Sequence, residues 1–463
     1  MSTGRFLTGS TMGHVVRMTA TGAFGITFVF LVDAANLVWI AQLGDPRLVA
    51  AIGFAFAIQF FSVSSGVGLM IASTAMVSRS IGEGNREKAR MQAGAAIVTA
   101  ALIQAVVATL VILLRHDLLA LAGATGETAA MAARYLLITM PSLVVMAIGL
   151  IASGVLRADG FGAKAMYTTL LSGTLLMVID PVLILGFGWG LDGTAIGLWL
   201  FRAALMGLGL YFAVWQNKLI ARPDLAAVRC VLPLYLAIAV PAIATQMATP
   251  VGNYLLTMVM APFGDDAVAA WAVVGRLTVV VFGGIFALSG AIGGIFGQNF
   301  GAGNYARLRS TYRDALVFCL IYTLTMWCAL FWATPYVSAV FGLTGQGAEV
   351  LHAFTLIGVG GFVFAGPLFV ANAAFNSLGR PSRSTLLNWS KEAVLGWPAA
   401  AALALSFGAS GVIYGQAFAS MLVGTLAGVW GWRFVGGLHG ARKRMLDGAA
   451  LRPYPNPDRY RRR

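Results

Sequence analysis

Two aspartates stand where an acid is costly. Asp33 lies in "FLVDAANLVW" (30–39), inside a run from Val15 to Gln42 whose other charged residue is Arg17, and Asp180 lies in "LLMVIDPVLI" (175–184). An ionised carboxylate in hydrocarbon costs several kcal/mol unless it is partnered. Asp33 follows Arg17 by 16 residues and Asp180 follows Lys164 by 16, so at ~1.5 Å per helical residue both acids sit about 24 Å from a basic anchor. Two acids at one depth can take up a proton, a sodium ion or a cationic group. Asn36, one turn from Asp33, shares its helix face. Pro181 has no N–H for the carbonyl of Met177, which leaves an acceptor beside Asp180. A structural alternative stays open, in which the acids are protonated and bonded to backbone, or paired with Arg202 or Arg276. Gln59, Gln246 and Asn253 are further polar residues within apolar runs, suited to contacting cargo or to bonding neighbouring helices.

These residues belong to a membrane protein. Of 463 residues 59% are hydrophobic and 10% charged, and twelve runs are long enough to span: 15–42, 47–78, 91–114, 129–156, 165–188, 194–215, 231–262, 267–297, 314–334, 348–377, 385–407 and 411–437. The implied fold class is all-α, polytopic, with short loops. Net charge +14 does not indicate nucleic acid, because 25 of the 31 Lys and Arg fall in the termini and in alternate loops, with Lys391 counted beside Arg380 and Arg383. That asymmetry places both termini in the cytoplasm. It also directs the basic tail at anionic lipid headgroups. Lys391 and Glu392 read as a local ion pair near the basic end of span 11. The three cysteines form no metal pattern, and span 1 lacks a cleavage site, so it is expected to be retained.

The chain is internally repeated. An offset of 219 superposes "SIGEGNREKAR" (80–90) on "NFGAGNYARLR" (299–309) and pairs Gly160 with Gly379. Each unit holds six spans, which gives a parallel repeat of two bundles, 1–222 and 223–440, followed by a tail at 441–463. The Gly-x-Gly-Asn of each half reads as a tight turn between helices rather than a phosphate loop, since no Lys-Ser/Thr follows. No nucleotide site is found, so active transport would draw on an ion gradient, without a cofactor.

In the order and spacing of "VAAIG", "VAAWAVVGRL", the paired "GEGN" and "GAGN", "LVDAANL" and "VIDPVLILGFGWGLDGTAIG" (178–197), the chain resembles the multidrug and toxic compound extrusion (MATE) family, DinF-like branch. The resemblance implies a monomeric, multi-pass transporter of the bacterial inner membrane with a central cavity. It implies export of amphipathic, often cationic compounds by alternating access, in exchange for protons or, less readily, sodium. Asp33 and Asp180 then match acids that couple ions and bind drug, with Asn36, Met177, Gln59, Gln246 and Asn253 as further cargo contacts. Leu176 and Leu198 stand where relatives of the branch often carry Asn and Thr, which thins the polar network around Asp180. A lipid-precursor flippase is the alternative, but it would need a cationic cavity. A membrane enzyme would need clustered acids for a metal, and the only adjacent pair, Asp265 and Asp266, lies in a short outer loop.

Overall fold

The computed structural model describes residues 4–448, and among these every regular element is helical. The tail expected at 441–463 lies outside them from residue 449 onward. Spans 1 to 3 are α1 (Thr11–Ala41), α2 (Pro46–Gly82) and α3 (Arg86–Leu121). Span 4 is broken into α4 (Gly126–Thr139) and α5 (Ser142–Ala158), bent by 51°. Spans 5 to 9 are α6 (Gly162–Pro181), α7 (Gly190–Leu210), α8 (Leu225–Met260), α9 (Asp265–Gly301) and α10 (Tyr305–Phe341). Span 10 is α11 (Gly345–Ala353) and α12 (Gly361–Ser377), bent by 59°, and the last span is α15 (Ala409–Gly448). Among the described residues nine helices are long and apolar enough to cross singly, and the bent pairs bring the number to eleven.

Span 11 departs from expectation. It runs as α13 (Pro381–Trp389), a π-helical stretch Ser390–Gly396 and α14 (Trp397–Phe407). Lys391 and Glu392 lie in its middle, not at its basic end, because helix already begins at Pro381. Lys391 is therefore not a loop charge. Their two charges also dilute the hydropathy by which a span is recognised.

The repeated turns are built alike. Gly84 (φ +77°) and Gly303 (φ +73°) adopt the left-handed conformation that glycine tolerates. Asn85 and Asn304 then cap α3 and α10, accepting from Lys88 N and Arg307 N. The amide oxygens are thus committed to caps, as a turn requires.

Charges at these turns define a basic face, and there the two halves are joined. Helices α2 and α9 cross without intervening side chains: a β-carbon on Gly82 would fall on the Gln298 carbonyl, one on Gly297 on Ser78, and one on Gly301 on the Arg79 carbonyl. Helix α1 meets α9 where Gly22 touches Ala287 and Gly283 touches Thr27. Just beyond, α9 kinks at Phe282 (φ −106°, ψ 15°), whose ring stacks on Phe362 at 4.1 Å. A strap before α1 completes the seal. Phe6 is 2% exposed, its N–H donates to Gln298 Oε1, and its carbonyl accepts from Asn299 and Arg307. Arg5 lies over the Phe161 ring of the first half at 3.9 Å.

Replacing Gly301 by Val puts branched carbon against backbone that no rotamer change can move. It should cost the closed basic face ~1–3 kcal/mol, a population shift of about 5–150-fold. Maleimide labelling of a Ser78→Cys variant, buried in the closed arrangement, should rise accordingly.

Candidate functional site

The site grows from the parallel packing of α1 and α6. Small residues set their register, with Gly25 beside Thr169 and Gly173 against Phe28 and Val32. Two turns beyond Gly173, away from the basic face, Asn36 Nδ2 donates to Asp180 Oδ2 at 2.5 Å. The structure therefore places the two helices' polar residues at one depth. Directly after Pro181 the helix widens into a π-helical stretch, Val182–Gly186, as expected where a proline interrupts the ladder.

The two acids differ in access. Asp180 is 1% exposed, and its Oδ1 is buried with no partner. Gly197 of α7 lies directly on that oxygen, so a β-carbon there would collide with it, and Leu176 closes the same spot. A buried carboxylate oxygen without a donor is held at a cost unless it carries a proton. Asp33 instead keeps exposed surface.

Sequence reasoning overlooked the role of Arg202. Fully buried on α7, it reaches the break in span 4: Nη1 donates to the Thr139 carbonyl at 3.1 Å and to Ser142 Oγ at 2.7 Å, and Nη2 donates to Gln59 Oε1 at 3.2 Å. Gln59 Nε2 in turn donates to Thr139 Oγ1 at 3.0 Å. Among the described residues no ion pair joins Arg202 or Arg276 to either aspartate. The signal was present in the sequence as one arginine in span 6 and as Pro141, which marks the break.

The remaining predicted residues are spread out. Gln59 belongs to the Arg202 cluster. Met177 is half-buried on α6. Gln246 and Asn253 lie on α8, and among the described residues no hydrogen bond links them to the acids. They fall on one helical stripe with Thr249 and Thr257, and Thr249 and Asn253 are exposed. No group of three or more metal-ligating residues occurs among the described residues.

Asn36→Leu removes the one hydrogen bond made to the Asp180 side chain among the described residues. It should cost ~1–3 kcal/mol and slow transport at least tenfold, with Gly197→Val doing the same by collision. Arg202→Met removes the Arg202 donors from Gln59 Oε1, from Ser142 Oγ and from the Thr139 carbonyl, which keeps only Ser142 Oγ. The loss should be ~3 kcal/mol, read as a lowered melting temperature in detergent, and Arg202→Lys should restore only part of it.

Several known proteins share this architecture. An FAD transporter of Shewanella oneidensis is 25% identical over 423 residues, covering 89% of this chain and 92% of that one. The multidrug export protein MepA of Staphylococcus aureus is 22% identical over 396 residues, covering 84% and 86%. Among solved structures, the Vibrio cholerae MATE transporter VcmN superposes with a TM-score of 0.85 at 24% identity, covering 95% of this chain and 98% of that one. An outward-facing multidrug resistance MATE transporter superposes at 0.87 with 20% identity, covering 95% and 99%. These likenesses establish the fold. The MatE family profile matches residues 23–182 and 241–422, and the chain belongs to this family of membrane transporters, not to the enzymes.

Proposed function

We propose that this transporter is a proton-coupled antiporter that exports amphipathic cationic compounds from the bacterial cytoplasm. The observation that carries the reading is the pair of unlike acids in one half: Asp33 exposed, and Asp180 held by Asn36 with its second oxygen unpartnered. Ionised, Asp33 attracts a cationic cargo; protonated, it releases it. Proton and cargo then compete for one place, which is what exchange requires. A proton moving inward through 100 mV releases ~2.3 kcal/mol.

Packing favours the proton over sodium. Sodium needs several oxygens around it, whereas Asp180 Oδ1 is pressed against Gly197 and flanked by Leu176. The halves 1–222 and 223–440 are the bodies that rock against each other. With the basic face cytoplasmic, their contacts at Gly22, Gly82, Gly301 and Phe6 make this the outward-opening arrangement. An acidic first half does not suit a lipid-pyrophosphate flippase. The Shewanella relative points to a second class of cargo, an aromatic ring system bearing phosphate.

Efflux of a cationic dye from proteoliposomes, with proton and sodium gradients imposed separately, tests this reading. A proton gradient should drive wild-type efflux and a sodium gradient alone should not. Asp33→Asn should abolish driven efflux and Asp180→Asn should reduce it at least tenfold, both at unchanged elution volume in detergent. Sodium-driven efflux, or wild-type transport by Asp33→Asn, would overturn it.

A further inference from the structure

Phe6 is seated between the two halves. A β-carbon on Gly160 of the first half would stand 3.2 Å from Phe6 Cζ, and one on Gly294 of the second half 3.3 Å from Phe6 Cε2. The two glycines leave the room that the ring fills, and Phe6 is 2% exposed. Its main chain meets the same boundary. Gln298 Oε1 accepts from the Phe6 N–H at 3.0 Å, and Gln298 Nε2 donates across the halves to the Ala158 carbonyl at 2.7 Å. The Phe6 N–H thus fixes which end of that amide faces Ala158. The bond to Ala158 must break whenever the halves part on the basic face.

The strap is held unequally by the two halves. It precedes α1, so the carbonyls of Phe6, Thr8 and Gly9 have no partner within a helix and need one elsewhere. The second half supplies it. Arg307 donates to the carbonyls of Phe6, Gly9 and Thr8 at 3.0, 2.9 and 3.2 Å, and Asn299 donates to the Phe6 carbonyl at 3.3 Å. Thr11, the first residue of α1, adds a bond to Asp314 of α10, and His14 bonds the Thr8 carbonyl, which joins the strap to the start of α1. Outside α1, the first half makes no hydrogen bond to residues 4–10 among the described residues. It offers the bare backbone of Gly160 and the Phe161 ring under Arg5. Lys164 lies 4.6 Å from the centre of the same ring, so two cations share it, which weakens its hold on Arg5. Hydrogen bonds from a guanidinium are stronger than an exposed cation–π contact of this kind.

We infer that residues 4–9 are a latch carried by the second half. With the basic face closed, the Phe6 ring fills the cleft between Gly160 and Gly294, and its N–H aims Gln298 at Ala158. When that face opens, the strap stays with Asn299, Arg307 and Asp314, while Phe6 leaves Gly160 and Arg5 leaves Phe161. This rests on the reading that the halves rock against each other, and adds where the seam between them runs through the strap's contacts.

Reversible cross-linking of the full-length protein in proteoliposomes tests it, with Cys230, Cys319 and Cys328 replaced by alanine and proton-driven efflux of a cationic dye as the readout. A short bifunctional methanethiosulfonate on Arg5→Cys with Phe161→Cys ties the strap to the first half. It should lower efflux at least tenfold, with recovery on adding reductant. The same reagent on Thr11→Cys with Asp314→Cys ties the strap's end to the second half, and should leave efflux within twofold of the same variant before cross-linking. On Glu83→Cys with Ala302→Cys, exposed positions beside the Gly301 contact, it joins the halves themselves and should stop efflux. Phe6→Ala keeps the main-chain bonds and empties the cleft, so it should raise maleimide labelling of Ser78→Cys at least threefold, a readout that needs no transport. Efflux unchanged by the link from Arg5→Cys to Phe161→Cys, efflux stopped by the link from Thr11→Cys to Asp314→Cys, or labelling unchanged by Phe6→Ala would each overturn the latch while sparing the rocking of the halves. Efflux that survives the link from Glu83→Cys to Ala302→Cys would overturn both.

Discussion

The hydrogen bond from Asn36 to Asp180 is the constraint around which the first half is arranged. A carboxylate as buried as Asp180, 1% exposed, must be met by a donor, and among the described residues one is supplied. For that donor to arrive, α1 and α6 must pack closely, which Gly25 against Thr169 and Gly173 against Phe28 and Val32 permit. For the other carboxylate oxygen to stay unpartnered, water must be excluded, which Gly197 and Leu176 achieve by packing on it. Arg202, on the same helix as Gly197, fixes α7 to the break in span 4 and to Gln59 on α2. One acid therefore sets the positions of four helices, α1, α2, α6 and α7, around it.

Helix α1 has a second attachment at its other end. Arg307 of α10 holds the carbonyls of Phe6, Thr8 and Gly9, and Thr11 Oγ1 donates to Asp314 Oδ2 at 2.5 Å. The helix is thus tied to the second half at the basic face and to Asp180 of the first half well away from that face. A rigid element with one end in each half transmits a change at one end to the other. The kink at Phe282 and the 59° bend of span 10, joined through the Phe282–Phe362 stack, lie where the close α1–α9 contacts end.

Much of this was legible in the sequence. Hydropathy and alternating charge gave the order of the spans, because the bilayer forces backbone hydrogen bonds to close within each helix. The matched spacing of Asp33 and Asp180 from their basic anchors translated into depth, because both helices run unbroken from those anchors. Arg202 was less legible, since its partners are a carbonyl, a hydroxyl and an amide on three other helices, and none of these has a periodic signature. Span 11 was misread for a related reason. Hydropathy starts the span at 385 and so puts Lys391 and Glu392 near its basic end, whereas the helix begins at Pro381 and carries the pair further in, each charge neutralised by the other.

The two halves share a scaffold but not a charge pattern, and packing explains how they could diverge. Where two parallel helices touch, one of them must be small. The contact between first and fifth spans is built on a glycine in each half, but on different helices. In the first half Gly173 of the fifth span meets Phe28 and Val32 of the first, and in the second half Gly252 of the first span meets Glu392 of the fifth. The acids also meet different surroundings, because Asp33 is exposed while Glu392 is next to Lys391 in the chain and pairs with it. A duplication that fixed the backbone thus left the electrostatics of each half free to specialise, one as an open acid and the other as an ion pair.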